Sequence, residues 1–182
     1  VKERAPLVRL SGIVNSKSVM PERIVVGVAD MAVTNDQNAT LITYALGSCI
    51  GVTIYDPVAH VGGLLHFMLP IRTNRRDRQG ESSAMFGDIA IPMLFKKCYA
   101  LGAKKERLVI CAAGGAEVLS DKGVFKVGSR NRTLIRKMFW MNDILLSADE
   151  TGGTIARTMS LKMSDGSVEI RTNGKGTVIW PL

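Results

Sequence analysis

The sequence predicts a mixed α/β or α+β domain, on three observations. Segments rich in β-branched and aromatic residues, bounded by Gly, Pro, Asn and Asp, recur along most of the chain. Two stretches instead carry apolar residues at helical spacing, the mark of a helix with one buried stripe. The length of 182 residues suits one domain, and no internal repeat or linker interrupts it.

Residues 1–22 disperse Lys, Arg, Ser, Asn and Pro and read as a loosely structured leader, leaving 23–182 as the single domain. That domain opens with "RIVVGVADMAV" as one strand, a turn at "TNDQNAT" and a strand at "LITYAL". After Gly47-Ser48 the chain resumes as "CIGVTIYD", where Ile50, Val52 and Ile54 point one way and Cys49, Gly51, Thr53 and Tyr55 the other. "DPVAHVGG" is a turn and "LLHFMLP" the returning strand of an antiparallel hairpin. A tight register puts Val52 nearly opposite His66 and Cys49 roughly 10 Å away, a gap that a bulge or a bend at Gly47 can close.

The segment "IRTNRRDRQGESSAMFGD" lacks periodicity and reads as a long surface loop. A helix then starts near Asp88, with Ile91, Leu94, Phe95, Cys98 and Leu101 on its buried stripe, Pro92 in its first turn and Gly102 ending it. "RLVICAAGGAE" is a buried strand entering a glycine turn, and "FKVGSRN" a short strand and turn. The second helix is "NRTLIRKMFWMNDILLSAD", with Leu134, Met138, Met141 and Leu145 near helical spacing. "GGTIARTMSLKMSDGSVEIRTNGKGTVIW" closes the chain as short strands joined at Asp-Gly and Asn-Gly hairpins.

Composition narrows the function classes. A hydrophobic fraction of 46% supplies a sizeable core, and no apolar run approaches a membrane span. The opening "VKERAPLVRL" has no continuous apolar h-region of a secretory signal. The net charge of +8 favours an acidic partner: nucleic acid, anionic lipid or acidic protein. Nucleic acid is disfavoured, because only ten aromatic residues occur (two Trp, three Tyr, five Phe) and none interleaves with the cluster Arg72, Arg75, Arg76 and Arg78. That cluster reads as a solvated surface or as a grip on an acidic partner helix. No phosphate-binding glycine motif is present. Cys49, Cys98 and Cys111 have no CxxC spacing and an odd count, which argues against a disulfide framework or zinc and for a reducing, cytoplasmic setting.

Cys98 sits on a helix stripe and Cys111 in a buried strand, so both read as packing. Cys49 differs: it follows Gly47-Ser48 at a strand entry, where backbone N–H groups can point at a substrate oxygen. Packing residue and nucleophile both stay open for it, since a thiol needs a neighbouring base or cation to act at neutral pH. His60 lies in the turn. His66, between Leu65 and Phe67, is either a half-buried strand histidine bonded to backbone or a general base facing Cys49. Thr43 is an ordinary strand residue or a hydroxyl that sets the tautomer of a histidine.

The ordered set "LGSCIGVTIYDP", "GGLLHFMLP", "FGDIAIPML", "GGAEVL", "VGSRN" and "GGTIAR" resembles the CheD family of chemoreceptor glutamine deamidases from about residue 24 to about residue 175. The resemblance implies a catalytic set of Cys49, His66 and Thr43. It implies a fold similar to the catalytic domain of cytotoxic necrotizing factor toxins, a sandwich of β-sheets with helices outside. The implied activity is hydrolysis of glutamine side-chain amides in the cytoplasmic helices of methyl-accepting chemotaxis receptors, which tunes adaptation; the same chemistry can cleave glutamate methyl esters. Backbone N–H groups at Gly47, Ser48 and Cys49 are the nearest oxyanion donors, Arg75 and Arg76 the expected receptor contact, and no metal or organic cofactor is required. In some species the family also binds CheC, a phosphatase of phosphorylated CheY, so a mainly regulatory binding role is the alternative. Two segments depart from the family pattern: Met85-Phe86-Gly87-Asp88 stands for Arg-Tyr-Gly-Asp, and Gly128-Ser129-Arg130-Asn131 for Gly-Glu-Arg-Asn.

Overall fold

The structure is a computed structural model that describes residues 22–72, 82–117 and 126–181. Among these, the strands are β1 (Glu22–Val25), β2 (Asp30–Thr34), β3 (Ala39–Leu46), β4 (Ile50–Asp56), β5 (Val61–Phe67), β6 (Val109–Gly114), β7 (Ala148–Thr151), β8 (Arg157–Lys162), β9 (Val168–Thr172) and β10 (Lys175–Trp180). The helices are α1 (Gly87–Ala100) and α2 (Val127–Met141). One sheet runs β1-β3-β8-β9-β10 and the other β2-β5-β4-β6-β7. The expected mixed α+β class is what the chain adopts.

Period-two alternation sets the layers. Ile50, Val52 and Ile54 of β4 and Leu65 and Phe67 of β5 join a core with Ile91, Leu94 and Phe95 of α1 and Ile135 and Phe139 of α2. The opposite faces of the same strands bring Tyr55 and Leu64 against Leu41, Met159, Leu161 and Met163 of the first sheet. Both β4 and β5 are therefore buried along their whole length, as in a middle layer with helices on one side and a second sheet on the other. Gly62 and Gly63 let the layers close: a Cβ on Gly62 would collide with the Met163 thioether, and one on Gly63 would lie 2.9 Å from Leu94.

Several expectations hold. The β4–β5 hairpin is antiparallel. Its turn residues lie at 57–60 and are pinned by Asp56, whose carboxylate accepts from the N–H groups of Val58, Ala59 and Lys104 and from the Arg107 guanidinium at 2.7 Å. Gly102, with φ +100, follows the end of α1. Asn173 and Gly174, with φ 50 and 78, make the β9–β10 hairpin.

Five readings need correction. "RIVVGVADMAV" is two strands in different sheets: β1 pairs parallel with β3, and β2 antiparallel with β5. The chain turns between them at Val26–Ala29, where Ala29 takes a left-handed φ of 57. His66 stands opposite Gly51 and not Val52. Pro92 is the sixth residue of α1, not in its first turn. "VGSRN" is the start of α2 and not a strand and turn, because Gly128 is there for close approach: its missing Cβ would lie 2.8 Å from the Gly115 carbonyl. That helix ends at Met141, so Met141 and Leu145 are exposed at 63% and 88%, and Ala148–Asp149 belongs to β7, parallel to β6. The leader falls outside the described residues apart from Glu22.

Asp56 generates a stability prediction. Burial alone pushes its carboxyl up, but the Arg107 fork and the three backbone donors outweigh burial and bring it from 3.8 to about 2. A folded-state value below the unfolded one gives stability that is present above about pH 4 and lost as pH falls toward about 2. Asp56→Ala leaves three N–H groups and a partly buried guanidinium without their acceptor. We expect a cost of about 3–5 kcal/mol in urea unfolding at neutral pH, and a smaller gap between variant and wild type near pH 3.

Candidate active site

The two sheets meet over a polar contact. Thr43 continues the inward-facing series Ala39, Leu41 of β3, and His66 continues the series Leu64 of β5, so the two side chains face each other across the sandwich. Both are buried, at 0% and 1% exposure. Thr43 Oγ1 lies 2.7 Å from His66 Nδ1 and 2.8 Å from the Val26 carbonyl oxygen. A carbonyl can only accept, so the single hydroxyl proton goes to Val26. The threonine oxygen then accepts from an Nδ1–H, and the neutral ring carries its lone pair on Nε2. That nitrogen is buried with no hydrogen-bond partner among the described residues.

Cys49 sits one residue before β4 and packs against the same inter-sheet cluster. Since Gly51 is opposite His66, Cys49 occupies the diagonal position on the same face, a spacing of about 7–8 Å between Cα atoms. Leu46 fills the space a side chain at Gly51 would take; its Cδ1 lies 2.8 Å from the position of that missing Cβ. Burial in these surroundings has the same cause and opposite signs for the two groups. It pushes the Cys49 thiol above 9.0, with its own backbone N–H pulling back, and it pushes His66 below 6.5. At neutral pH both are uncharged. Cys98 and Cys111 are fully buried, with thiols pushed up to about 12 and about 11, in keeping with packing.

The turn before Cys49 is held by its carbonyl oxygens. Gly47 O accepts from Ala116 N–H at 2.8 Å, Cys49 O from Gly115 N–H at 2.7 Å, and Ser48 O from Asn131 Nδ2 at 2.9 Å. Gly114 carries φ +100 and its Cβ would collide with the Cys49 carbonyl, so only glycine lets β6 approach this closely. The Gly47 N–H, expected among the oxyanion donors, is instead taken by the Ala45 carbonyl at 2.8 Å, whereas no described carbonyl takes the N–H of Ser48 or Cys49.

Asn131 was not foreseen. It is fully buried on α2, and its amide donates both to Ser48 O and to Met68 O, at 2.9 and 2.8 Å. It thus ties the turn before the thiol to the segment that follows His66. The sequence reading starts the helix at Asn131, where asparagine is an ordinary capping residue, so nothing in it marks a buried contact; α2 in fact starts four residues earlier, at Val127. Gly87 and Asp88 pin the same segment, their N–H groups bonding to Leu69 O and Pro70 O at 2.8 and 3.0 Å. The two departures from the family pattern therefore flank the site. Among the described residues no three His, Cys, Asp or Glu gather as metal ligands, and no helix is long and apolar enough to cross a membrane. Arg75 and Arg76 lie outside the described residues.

A family model described as CheD, chemotactic sensory transduction, matches residues 68–172, more than half of the chain. The chain belongs to the CheD family. It is 44% identical over 151 residues to "Probable chemoreceptor glutamine deamidase CheD 1" of Syntrophus aciditrophicus, covering 83% of this chain and 94% of that protein. It is also 44% identical over 160 residues to a probable chemoreceptor glutamine deamidase of Solibacter usitatus, covering 88% and 95%. A third relative, from Anaeromyxobacter dehalogenans, is 37% identical over 159 residues. The CheD family match begins at Met68, after Thr43, Cys49 and His66, so for those three residues the geometry above stands on its own.

Removing the Asn131 amide leaves two partly buried carbonyls without their donor. Asn131→Ala should cost about 2–4 kcal/mol in denaturant unfolding. Hydrogen exchange of Gly115 and Ala116, whose amides hold the same turn, should rise above that of the distant β9–β10 hairpin.

Proposed function

We propose that this chain hydrolyses the side-chain amide of glutamine in chemoreceptor proteins, with Cys49 as nucleophile, His66 as general acid and base, and Thr43 as the residue that holds the ring. The observation that carries the reading is the Thr43–His66 hydrogen bond, which leaves Nε2 as an unprotonated, unpartnered nitrogen on the strand beside Cys49. The names of the relatives give the substrate class.

The steps follow from the neutral resting pair. Nε2 takes the thiol proton as sulfur attacks the carboxamide carbon, so charge appears only when substrate is present. The tetrahedral oxygen becomes anionic, and the N–H groups of Ser48 and Cys49, which no described carbonyl takes, are the donors closest in sequence to it. The imidazolium Nε2–H then protonates the nitrogen, the C–N bond breaks and ammonia leaves. A water gives its proton to Nε2 and attacks the thioester. Collapse of that second intermediate returns the proton to sulfur and releases glutamate. A glutamate methyl ester passes through the same intermediates with methanol as leaving group. The reaction takes place in the cytoplasm, where the receptor's signalling helices lie.

Ammonia release from a receptor cytoplasmic fragment, with a one-dalton mass gain at the modified glutamine, tests the reading. Cys49→Ala should abolish release, and His66→Gln should lower kcat by about 10²–10⁴-fold. Release that survives Cys49→Ala would overturn it.

The pH dependence discriminates further. His66 must be neutral to act as base and its value is lowered, so kcat/KM should rise along an acid limb centred below 6.5; the thiol is raised, so the plateau should extend beyond 9.0. A preformed thiolate–imidazolium pair would instead be alkylated by iodoacetamide at an undiminished rate down to about pH 5. We expect alkylation of Cys49 to slow steadily below neutrality.

A further inference from the structure

We propose that the outer face of the first sheet, beside the turn that carries Cys49, docks an acidic segment of the protein substrate around its reactive glutamine. The inference rests on the deamidase reading for the identity of the nearby nucleophile, and the docking itself is argued from the surface.

Both helices pack on the second sheet, and no described element covers the outer face of the first. There the side chains of Arg23 from β1, Tyr44 and Ala45 from β3, Arg157 from β8 and Arg171 from β9 line a hollow of about 460 Å³. No acidic side chain lines it. Arg157 is held in place, donating to the carbonyls of Gly152 and Ile155 at 2.8 and 3.1 Å. Arg171 is braced by Glu169 at 2.9 Å on an exposed surface, a pair of low net worth that a carboxylate ligand can compete with. Tyr44, exposed at 44%, adds an aromatic surface of the kind enriched at protein contacts. Three guanidinium groups around an aromatic fit carboxylates on a peptide, because the fork geometry takes them two oxygens at a time.

The position of the hollow sets where those carboxylates sit. Ala45 lies on its rim, has φ 56, and falls within the register shift between Thr43 and Leu46. Three residues, hence four Cα steps, separate it from Cys49, at most about 14 Å. An extended substrate covers that distance in about four residues, and a helical one in about nine. Acidic residues at the Ala45 end of the hollow would therefore lie within about four residues of the glutamine in an extended substrate, or about nine residues in a helical one.

The test uses two fluorescent peptides of equal length, each with one central glutamine, one flanked by glutamates at those spacings and the other by lysines. Binding is measured by anisotropy on the Cys49→Ala protein, so no turnover intervenes. The acidic peptide should bind at least about tenfold tighter than the basic one and lose most of that advantage between about 50 and about 300 mM salt. The double variant Arg23→Glu/Arg171→Glu, made in the same background, should lose about tenfold in affinity for the acidic peptide. In the wild-type background its Cys49 alkylation rate should be unchanged, which separates lost docking from a damaged site. Equal binding of both peptides, or undiminished binding to the reversed-charge variant, overturns the proposal. So does a self-association in solution that the reversal abolishes, because a second copy of the chain would then occupy the face. Tight binding of the acidic peptide without ammonia release by wild-type protein would sink the deamidase reading and leave the docking surface standing.

Discussion

One hydroxyl proton organises the site. Thr43 gives it to Val26, and by doing so it can only accept from His66. Three segments that are remote in sequence are joined through that single oxygen: the turn after β1, the strand β3 and the strand β5. The contact also spans the two sheets, so the packing of the sandwich and the tautomer of the imidazole depend on each other. A looser inter-sheet layer would let water reach Nε2, raise the histidine toward its ordinary value and remove the reason for the ring's orientation. Gly51 and Gly62 matter for the same reason, because each removes a side chain where the layers come closest.

How far the sequence reveals this depends on the range of the interaction. The alternation within "CIGVTIYD" placed Ile50, Val52 and Ile54 on one face and Cys49 and Gly51 on the other, and the structure agrees, because period-two geometry is local. Hairpin turns with Asn-Gly and the glycine after α1 were equally legible, since left-handed backbone has its own residue chemistry. The register of β4 on β5 missed by one residue, which moves His66 from opposite Val52 to opposite Gly51. That one step puts the ring on the same face as the thiol and not on the other. No residue pattern in the turn itself decides between the two; the buried partners of both strands do.

Failures elsewhere share a cause. Gly27 and Gly128 were misjudged in opposite directions. Gly27 sits in an apolar run that looked continuous, yet the chain leaves one sheet for the other there. Gly128 looked like a turn residue, yet it is inside a helix because β6 and its glycine loop press against it. In each case the decisive contact is with a segment far away in sequence. Asn131 belongs to the same class. Its two acceptors, Ser48 and Met68, are 83 and 63 residues distant, and nothing nearby reveals them. The family resemblance compensated for this on the residues it names, Thr43 among them, but the Thr43–His66 contact at 2.7 Å could only come from the folded chain.

Burial of the thiol and the imidazole has a further consequence for selectivity. A preformed ion pair would be a reactive thiolate available to any small electrophile. Two neutral groups held by burial among apolar side chains are not, because separating charge there is costly until something stabilises it. In the proposed reaction the oxyanion of a bound amide supplies the negative charge that the imidazolium then faces, with N–H groups of the Ser48–Cys49 turn as its donors. Under the proposed mechanism the reactive state forms only around a correctly seated carboxamide. Glutamine side chains are common on protein surfaces, and a pocket that recognises only the amide cannot choose among them. Choice has to come from surfaces outside the pocket, and a rigid sheet face bearing arginines next to the turn is better suited to that than the thiol's own walls. The proposed chemistry and the proposed docking would then divide between the inner and outer faces of the same strand: Thr43 points inward to His66, and Tyr44, the next residue, lines the outer hollow.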